Sequence, residues 1–362
     1  VFEGVDTSVF GRLGDVGPPL WIVGSGAGGG PAVIAPMVAE ARPDARGVAG
    51  PDHSHDGPFE DPARGAGAVI GGRGGHGSTD LTREYRPDMD AREWLGLQPT
   101  HNPMRWYLPV VPALSVRSRF LFGGAALGAA VAALEAATER PVVWATAQYL
   151  SFAPVGSVMD LDVTVSVAGH RTTQARVIGH VGETEIVTVN AALGRRDLPL
   201  EHSWPVMPAV EPPERCEPRE IDLEAESLGR HHPQRWAVVP PGTHDATVST
   251  GDSGPTGHGP GRVCVWTRPP DDVEPSAATL AILGDWVPMG MSSLTGWRIN
   301  STSLDNTIRV LRVVASEWYL LEIEGAGVNH GFGHGQLRIW SADGTLTAIA
   351  SQSVLVREKT DH

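Results

Sequence analysis

Three polar residues in the last quarter of the chain, Asp285, Ser303 and Gln352, could do chemistry together, and Gln352 stands on an apolar face. In "DGTLTAIASQSVLVR" a turn at Asp343-Gly344 precedes a strand, because Leu346, Ala348, Ala350, Val354 and Val356 recur at period two, and Gln352 falls on that apolar face. Burying an amide without partners costs roughly 1–3 kcal/mol, so Gln352 needs polar company. Asp285 lies at the start of the helical stretch "LGDWVPMGMSSLTGW", and Ser303 in the strand-like "INSTSLDNTIRVLRV". A carboxylate, a hydroxyl and an amide gathered at one point can activate water at an acyl carbonyl. The carboxylate takes the proton as water attacks, and the other two fix the water's direction. The oxyanion would be met by N–H groups at the start of the Asp285 helix, where the first turn has donors without intrahelical partners. The same position makes Asp285 a candidate helix cap. These three groups need no cofactor and no metal.

Positioning them requires a helix start and two strands, and the chain supplies such a set twice. "TQARVIGHVGETEIVTVNAAL" (173–193) matches "GQLRIWSADGTLTAIASQSVL" (335–355) at an offset of 162, with Gln174 over Gln336, Arg176 over Arg338 and Gly182 over Gly344. Upstream the offset is 160, placing Trp106 over Trp266. Each copy reads as a short strand containing a Trp, a helical stretch, then several strands joined by tight turns. The first helix, "GGAALGAAVAALEAATER", is apolar almost all round, as a helix enclosed by other structure would be. The fold class expected is α+β: two fused units, each an antiparallel sheet wrapped on one helix. At these offsets Asp285 lies over Ala125, Ser303 over Val143 and Gln352 over Asn190, so the polar set is expected to survive in the second copy alone.

The helix-in-sheet duplication, "FLFGG" at the first helix, "LGDW" at the second, "STSLDNT" and the terminal "ASQSVLVR" resemble the acyl-CoA thioesterase II family, over about 90 to 358. That resemblance implies a double hotdog fold, hydrolysis of acyl-CoA thioesters to free acid and CoA, and Asp285, Ser303 and Gln352 as catalytic residues. It also ranks Asp305 below Asp285 as the base, because the family has an Asp at both places. The chain departs from the family at Asn306, commonly His, and at Phe120, which replaces the His of "HVFGG". Other hotdog chemistry remains open. An enoyl-CoA hydratase or dehydratase needs a His beside the Asp, for which His330 and His334 are the candidates, and a noncatalytic acyl-CoA-binding protein needs neither.

The domains expected are a flexible or non-native Gly/Pro-rich extension (1–88), an N-terminal hotdog with a degenerate site (89–196), a Pro/Gly/Glu-rich linker (197–261) and a C-terminal hotdog with the active site (262–358). In the extension, Gly24, Gly26 and Gly29 follow an apolar run but lack the second strand of a dinucleotide site. His53 and His55, like His231 and His232 in the linker, read as surface histidines rather than ligands. A net charge of −14 argues against nucleic-acid and anionic-membrane partners. It also leaves CoA to local cations, with Arg171, Arg176, Arg195, Arg196, Arg309 and Arg312 as candidates. Two cysteines without metal-ligand spacing, and no apolar run near the roughly 20 residues of a membrane span, suit a soluble cytoplasmic protein. Acyl length, and whether pairs of these pseudo-dimers form a homo-oligomer, are not set by the sequence.

Overall fold

The computed structural model describes residues 88–116, 119–219, 226–237, 261–270, 273–295 and 299–358. The glycines at 24, 26 and 29 and the histidines at 53 and 55 lie outside these residues. The first described helix, α1 (Ala91–Leu95), is capped by the Asp90 carboxylate, which accepts from the Arg92 and Glu93 N–H groups, and ends at Gly96 with φ +69°. Short strands β1 (Gln98–Pro99), β2 (Arg105–Pro109), β3 (Ser115–Val116) and β4 (Phe120–Leu121) lead into α2 (Gly123–Thr138). From Gly124 to Leu134 every residue of α2 is buried. Its Ala and Gly content lets a second helix come close: a Cβ at Gly128 would meet Ile282 Cγ1 at 2.9 Å and the Ala278 carbonyl at 3.0 Å. Strands β5 (Val142–Tyr149), β6 (Val158–Ala168), β7 (Thr172–Val181) and β8 (Thr184–Gly194) complete the first copy.

After α3 (Leu228–His231) and β9 (Gln234–Trp236) the order repeats as β10 (Arg262–Thr267), α4 (Ala277–Leu283), α5 (Val287–Thr295), β11 (Ile299–Ser303), β12 (Asp305–Val310), β13 (Tyr319–Asn329), β14 (Phe332–Ser341) and β15 (Leu346–Glu358). One antiparallel sheet runs β1-β2-β6-β7-β8-β5-β12-β15-β14-β13-β10-β9, with β11 also on β15. Its two halves mirror each other, β2-β6-β7-β8-β5 against β12-β15-β14-β13-β10, which is the double hotdog arrangement expected. They join where β5 pairs with β12, and there Thr146 and Thr307 face each other with their hydroxyls hydrogen-bonded at 2.6 Å. No helix among the described residues is long and apolar enough to cross a membrane.

The copies differ where the site lies. The unbroken α2 corresponds to the interrupted pair α4 and α5, and the unbroken β5 to β11 and β12, split at Leu304. The sheet also revises the residue equivalences. Thr173 pairs with Leu193 in the first copy, whereas Gly335, its counterpart at offset 162, pairs with Gln352 in the second. The intervening hairpins differ in length, so the strand slides. The pairing of Thr146 with Thr307 at the junction sets Asn190 over Ser351, so Ala191, not Asn190, stands where Gln352 stands, and Asn190 faces outward.

Part of residues 197–261 folds onto the outer face of the second copy. Met207, Val210 and Cys216 cover Cys264, Trp266, Leu320 and Trp340, and Trp266 donates to the Glu211 carbonyl at 2.9 Å. His232 is not a surface residue. It is buried against Trp94, its Nδ1 lies 3.2 Å from the Leu228 carbonyl, and burial lowers its pKa to about 4.

Candidate active site

Helix α2 begins after Phe122, whose side chain offers no cap, so the N–H groups of its first turn need an acceptor from elsewhere. Asp285 supplies it from 161 residues away: Gly124 N–H donates to Asp285 Oδ2 at 2.5 Å. The approach requires glycine. A Cβ at Gly124 would lie 2.7 Å from Asp285 Cβ, and one at Gly123 would lie 2.8 Å from Asp285 Oδ2.

Asp285 reaches this place because the second helix is interrupted. Ser276 and Thr279 cap α4 reciprocally, α4 ends at Leu283, and Gly284 packs so tightly that its Cβ would sit 3.2 Å from Ala350 Cβ. Asp285 and Trp286 fill the break before α5 starts at Val287. The expectation that Asp285 starts its own helix is therefore corrected. It does act as a cap, but of the helix in the other copy.

The structure brings the three expected residues together. Gln352 Nε2 donates to Asp285 Oδ1 and, at 3.3 Å, to Ser303 Oγ. Its Oε1 accepts from Val287 N–H at 3.2 Å, so the glutamine caps α5. The buried amide thus finds its partners within the protein, which makes it a brace for the carboxylate and the hydroxyl rather than a free ligand for water. Asp285 and Gln352 are each 3% exposed, and Ser303 is half-buried.

A fourth member was missed in the sequence. Asn306, fully buried, donates its Nδ2 to Asp285 Oδ1 at 3.3 Å. Its place, two residues before the buried Ile308 on the same strand, was the available signal. Burial raises the pKa of Asp285 to about 7, against the lowering effect of the bonds from Gly124, Gln352 and Asn306. Asp305 has a different task. Its Oδ1 accepts from Ser353 N–H at 2.8 Å, replacing a ladder bond where the strand breaks.

A cavity of about 430 Å³ opens onto these groups. Asp285, Ser303 and Gly123 line it, together with a largely apolar set that includes Phe120, Phe122, Phe152, Ile186, Trp286 and Met289. Phe120, at the position that is His in the family, stacks near Phe152 with ring centroids 5.0 Å apart. No histidine lines the cavity among the described residues. His334 lies on the exposed face of β14, its Nδ1 3.2 Å from Ser353 Oγ, and His330 sits in the preceding turn with φ +50°. None of the arginines picked from the sequence reaches it either. Arg312 pairs with Glu201 at 2.5 Å and Arg195 with Asp197 at 3.8 Å, while Arg119, which was not singled out, lines the cavity.

Residues 212–356 match the family described as acyl-CoA thioesterase C-terminal domain. A Novosphingobium aromaticivorans structure, provisionally described as a thioesterase, is 30% identical with a TM-score of 0.63, covering 73% of this chain and 98% of its own. Two more distant structures share the fold. An Alicyclobacillus acidocaldarius protein described as having a hot dog fold has 17% identity and a TM-score of 0.61, covering 73% of this chain and 96% of its own. Acyl-CoA thioesterase II (TesB2) from Mycobacterium marinum has 19% identity and a TM-score of 0.57, covering 75% and 99%. No curated protein sequence is significantly similar. With near-complete coverage of a relative at 30% identity, and the double hotdog architecture described above, the chain belongs to the acyl-CoA thioesterase II family.

Proposed function

We propose that this thioesterase hydrolyses acyl-CoA at the cavity wall where Asp285 and Ser303 lie, both held by Gln352 behind them. One observation carries the reading: a buried carboxylate with a pKa of about 7, braced by Gln352 and beside the Ser303 hydroxyl, faces an apolar cavity. A carboxylate of ordinary acidity is a weak base, and one poised near neutrality combines a large ionised fraction with useful basicity. The acyl chain lies along Phe120, Phe152 and Met289, which sets the thioester carbon near Asp285. Water held by Ser303 and Asp285 attacks that carbon and passes a proton to the carboxylate, while the carbonyl π pair moves onto oxygen. Collapse of the tetrahedral adduct breaks the C–S bond, and the departing thiolate takes the proton from Asp285, which leaves free acid and CoA. The oxyanion meets the N-terminus of α2, whose first residue, Gly123, lines the cavity, rather than α5, whose first N–H is occupied by Gln352.

The domain reading follows the same line. The second copy (262–358) supplies the reacting carboxylate, and the first (89–196), with Ala191 in the place of Gln352, supplies walls and helix dipole. Arg119, at the cavity, is the cation best placed for the CoA phosphates. The test is thiol release from a series of acyl-CoA chain lengths, run beside hydration of enoyl-CoA. Thiol release that disappears in Asp285→Asn supports the reading. Hydration without thiol release, or binding without turnover, overturns it.

A further inference from the structure

Tyr149, the last residue of β5, brings a hydroxyl to the same point. The Cβ that Gly123 lacks would lie 2.8 Å from Asp285 Oδ2 and 3.1 Å from the Tyr149 hydroxyl oxygen. Phenol and carboxylate therefore flank the space that a side chain on the first residue of α2 would fill. The backbone is fixed there, since Tyr149 N–H donates to the Leu304 carbonyl at 2.9 Å where the neighbouring strand breaks.

The hydroxyl is shielded from solvent and has no hydrogen-bond partner, although the residue lines the cavity. Buried tyrosine hydroxyls normally find one. Asp285 is already engaged, and the open group nearby is the Asn306 amide, which lowers the phenol pKa against burial without a well-placed hydrogen bond. Asp285 accepts from Gly124, Gln352 and Asn306, and the Asn306 Oδ1 is itself without a partner. Burial, with Asp285 adding to it, holds the phenol well above the usual tyrosine range, so the group keeps its proton while Asp285 titrates. Such a group donates a hydrogen bond but does not serve as a proton-transferring acid.

Resting on the thioesterase reading, we propose that Tyr149 is a catalytic residue whose O–H donates to the thioester carbonyl oxygen, beside the Gly123 N–H. The phenol proton stays on Tyr149 throughout. The carbonyl electron pair moves onto oxygen as water adds and returns as the C–S bond breaks, and the donor is worth most when that oxygen is charged. Recognition is then shared between the copies, with Asp285 and Ser303 from the second and both oxyanion donors from the first.

The experiment compares Tyr149→Phe, which removes one oxygen and keeps the ring, with the unaltered enzyme on the best acyl-CoA of the chain-length series. The expected result is a kcat loss of about 10²–10³-fold with KM changed by less than about threefold. A folded variant with kcat within about threefold of the parent overturns the proposal. So does lowered thermal stability with kcat intact, which would give the hydroxyl to Asn306. A second measurement does not depend on turnover. In a bound acyl-CoA ketone analogue, with CH2 replacing the thioester sulfur and a ¹³C-labelled carbonyl, the C=O stretch should fall further in the parent than in Tyr149→Phe, and equal shifts overturn the assignment. If the parent releases no thiol yet the shift depends on Tyr149, the hydrolase reading fails and the donor assignment stands.

Discussion

Replacing Asp285 by Asn should alter stability in a way only a strained carboxylate can. The Asp285 pKa stands at about 7 in the folded protein against an ordinary 3.8. Below pH 3.8 the group is protonated in both folded and unfolded chains and contributes nothing. Between the two values the unfolded chain ionises first, so it binds fewer protons and folded stability falls as pH rises. Above the folded pKa the full penalty applies, about 4 kcal/mol from the shift at about 1.4 kcal/mol per unit. Asn carries no such charge. It does turn an accepting oxygen into a donor facing Gly124, Gln352 or Asn306, a cost of roughly 1–3 kcal/mol that does not vary with pH. Denaturant unfolding of both proteins from pH 4 to 8.5 should give a difference, variant minus parent, that climbs by about 4 kcal/mol and levels near neutrality. All other titrating groups cancel in that difference. A flat difference would show that Asp285 is not strained by burial, and the poised-base argument would go with it. In parallel, the parent's kcat/KM should rise with a midpoint near pH 7, and the variant should lose that limb together with about 10²–10⁴-fold in rate.

Asn306→Ala removes one donor to Asp285, so the midpoint of the kcat/KM profile should move to higher pH, and an unmoved midpoint would show that the 3.3 Å contact does not tune the base. Gln352→Leu leaves the Val287 N–H and Asp285 Oδ1 without this partner. It should cost about 1–3 kcal/mol in unfolding experiments and more in activity than Ser303→Ala, which keeps the carboxylate braced. Gly124→Ala drives a Cβ to 2.7 Å from Asp285 Cβ and should destabilise by about 1–3 kcal/mol while reducing kcat, measured by thermal unfolding and thiol release. Phe152→Ala opens the apolar wall beside Phe120, so the preferred acyl chain should lengthen in the same assay.

What could be read from the sequence was what local periodicity controls. Alternation along 346–356 put Gln352 inside because a strand's faces follow from its period, and the even apolar character of α2 announced its enclosure. The repeat exposed the double architecture because paired strands keep their pattern. The site was less legible where it depends on contacts between distant segments. Asp285 caps a helix 161 residues away, which no local cap rule reaches. Asn306 was noticed only as a departure from the family, although its alternation with Ile308 along β12 puts it on the buried face. Aligning Gln352 with Asn190 assumed equal hairpins, and a difference in hairpin length moved the true counterpart to Ala191. His232 was assigned to the surface from its Pro-rich surroundings, though the segment folds back under Trp94.

The trans cap also bears on why one copy could lose its polar set without becoming idle. In a helix that caps itself, the acceptor at its N-terminus belongs to its own first turn and usually stays solvated, with its pKa held low. Here the cap comes from the break between α4 and α5, and the close packing of α2 on α4 excludes water from it. Desolvation then outweighs the three donated bonds and leaves Asp285 near neutrality. The poised base is therefore a property of the contact between the copies. The second supplies the carboxylate, and the first supplies the burial, the uncapped helix end and the Tyr149 hydroxyl. A polar set in the first copy, with a carboxylate at Ala125 and an amide at Ala191, would add a second buried carboxylate's penalty to a core that needs only one, so apolar residues at these buried places stabilise the fold.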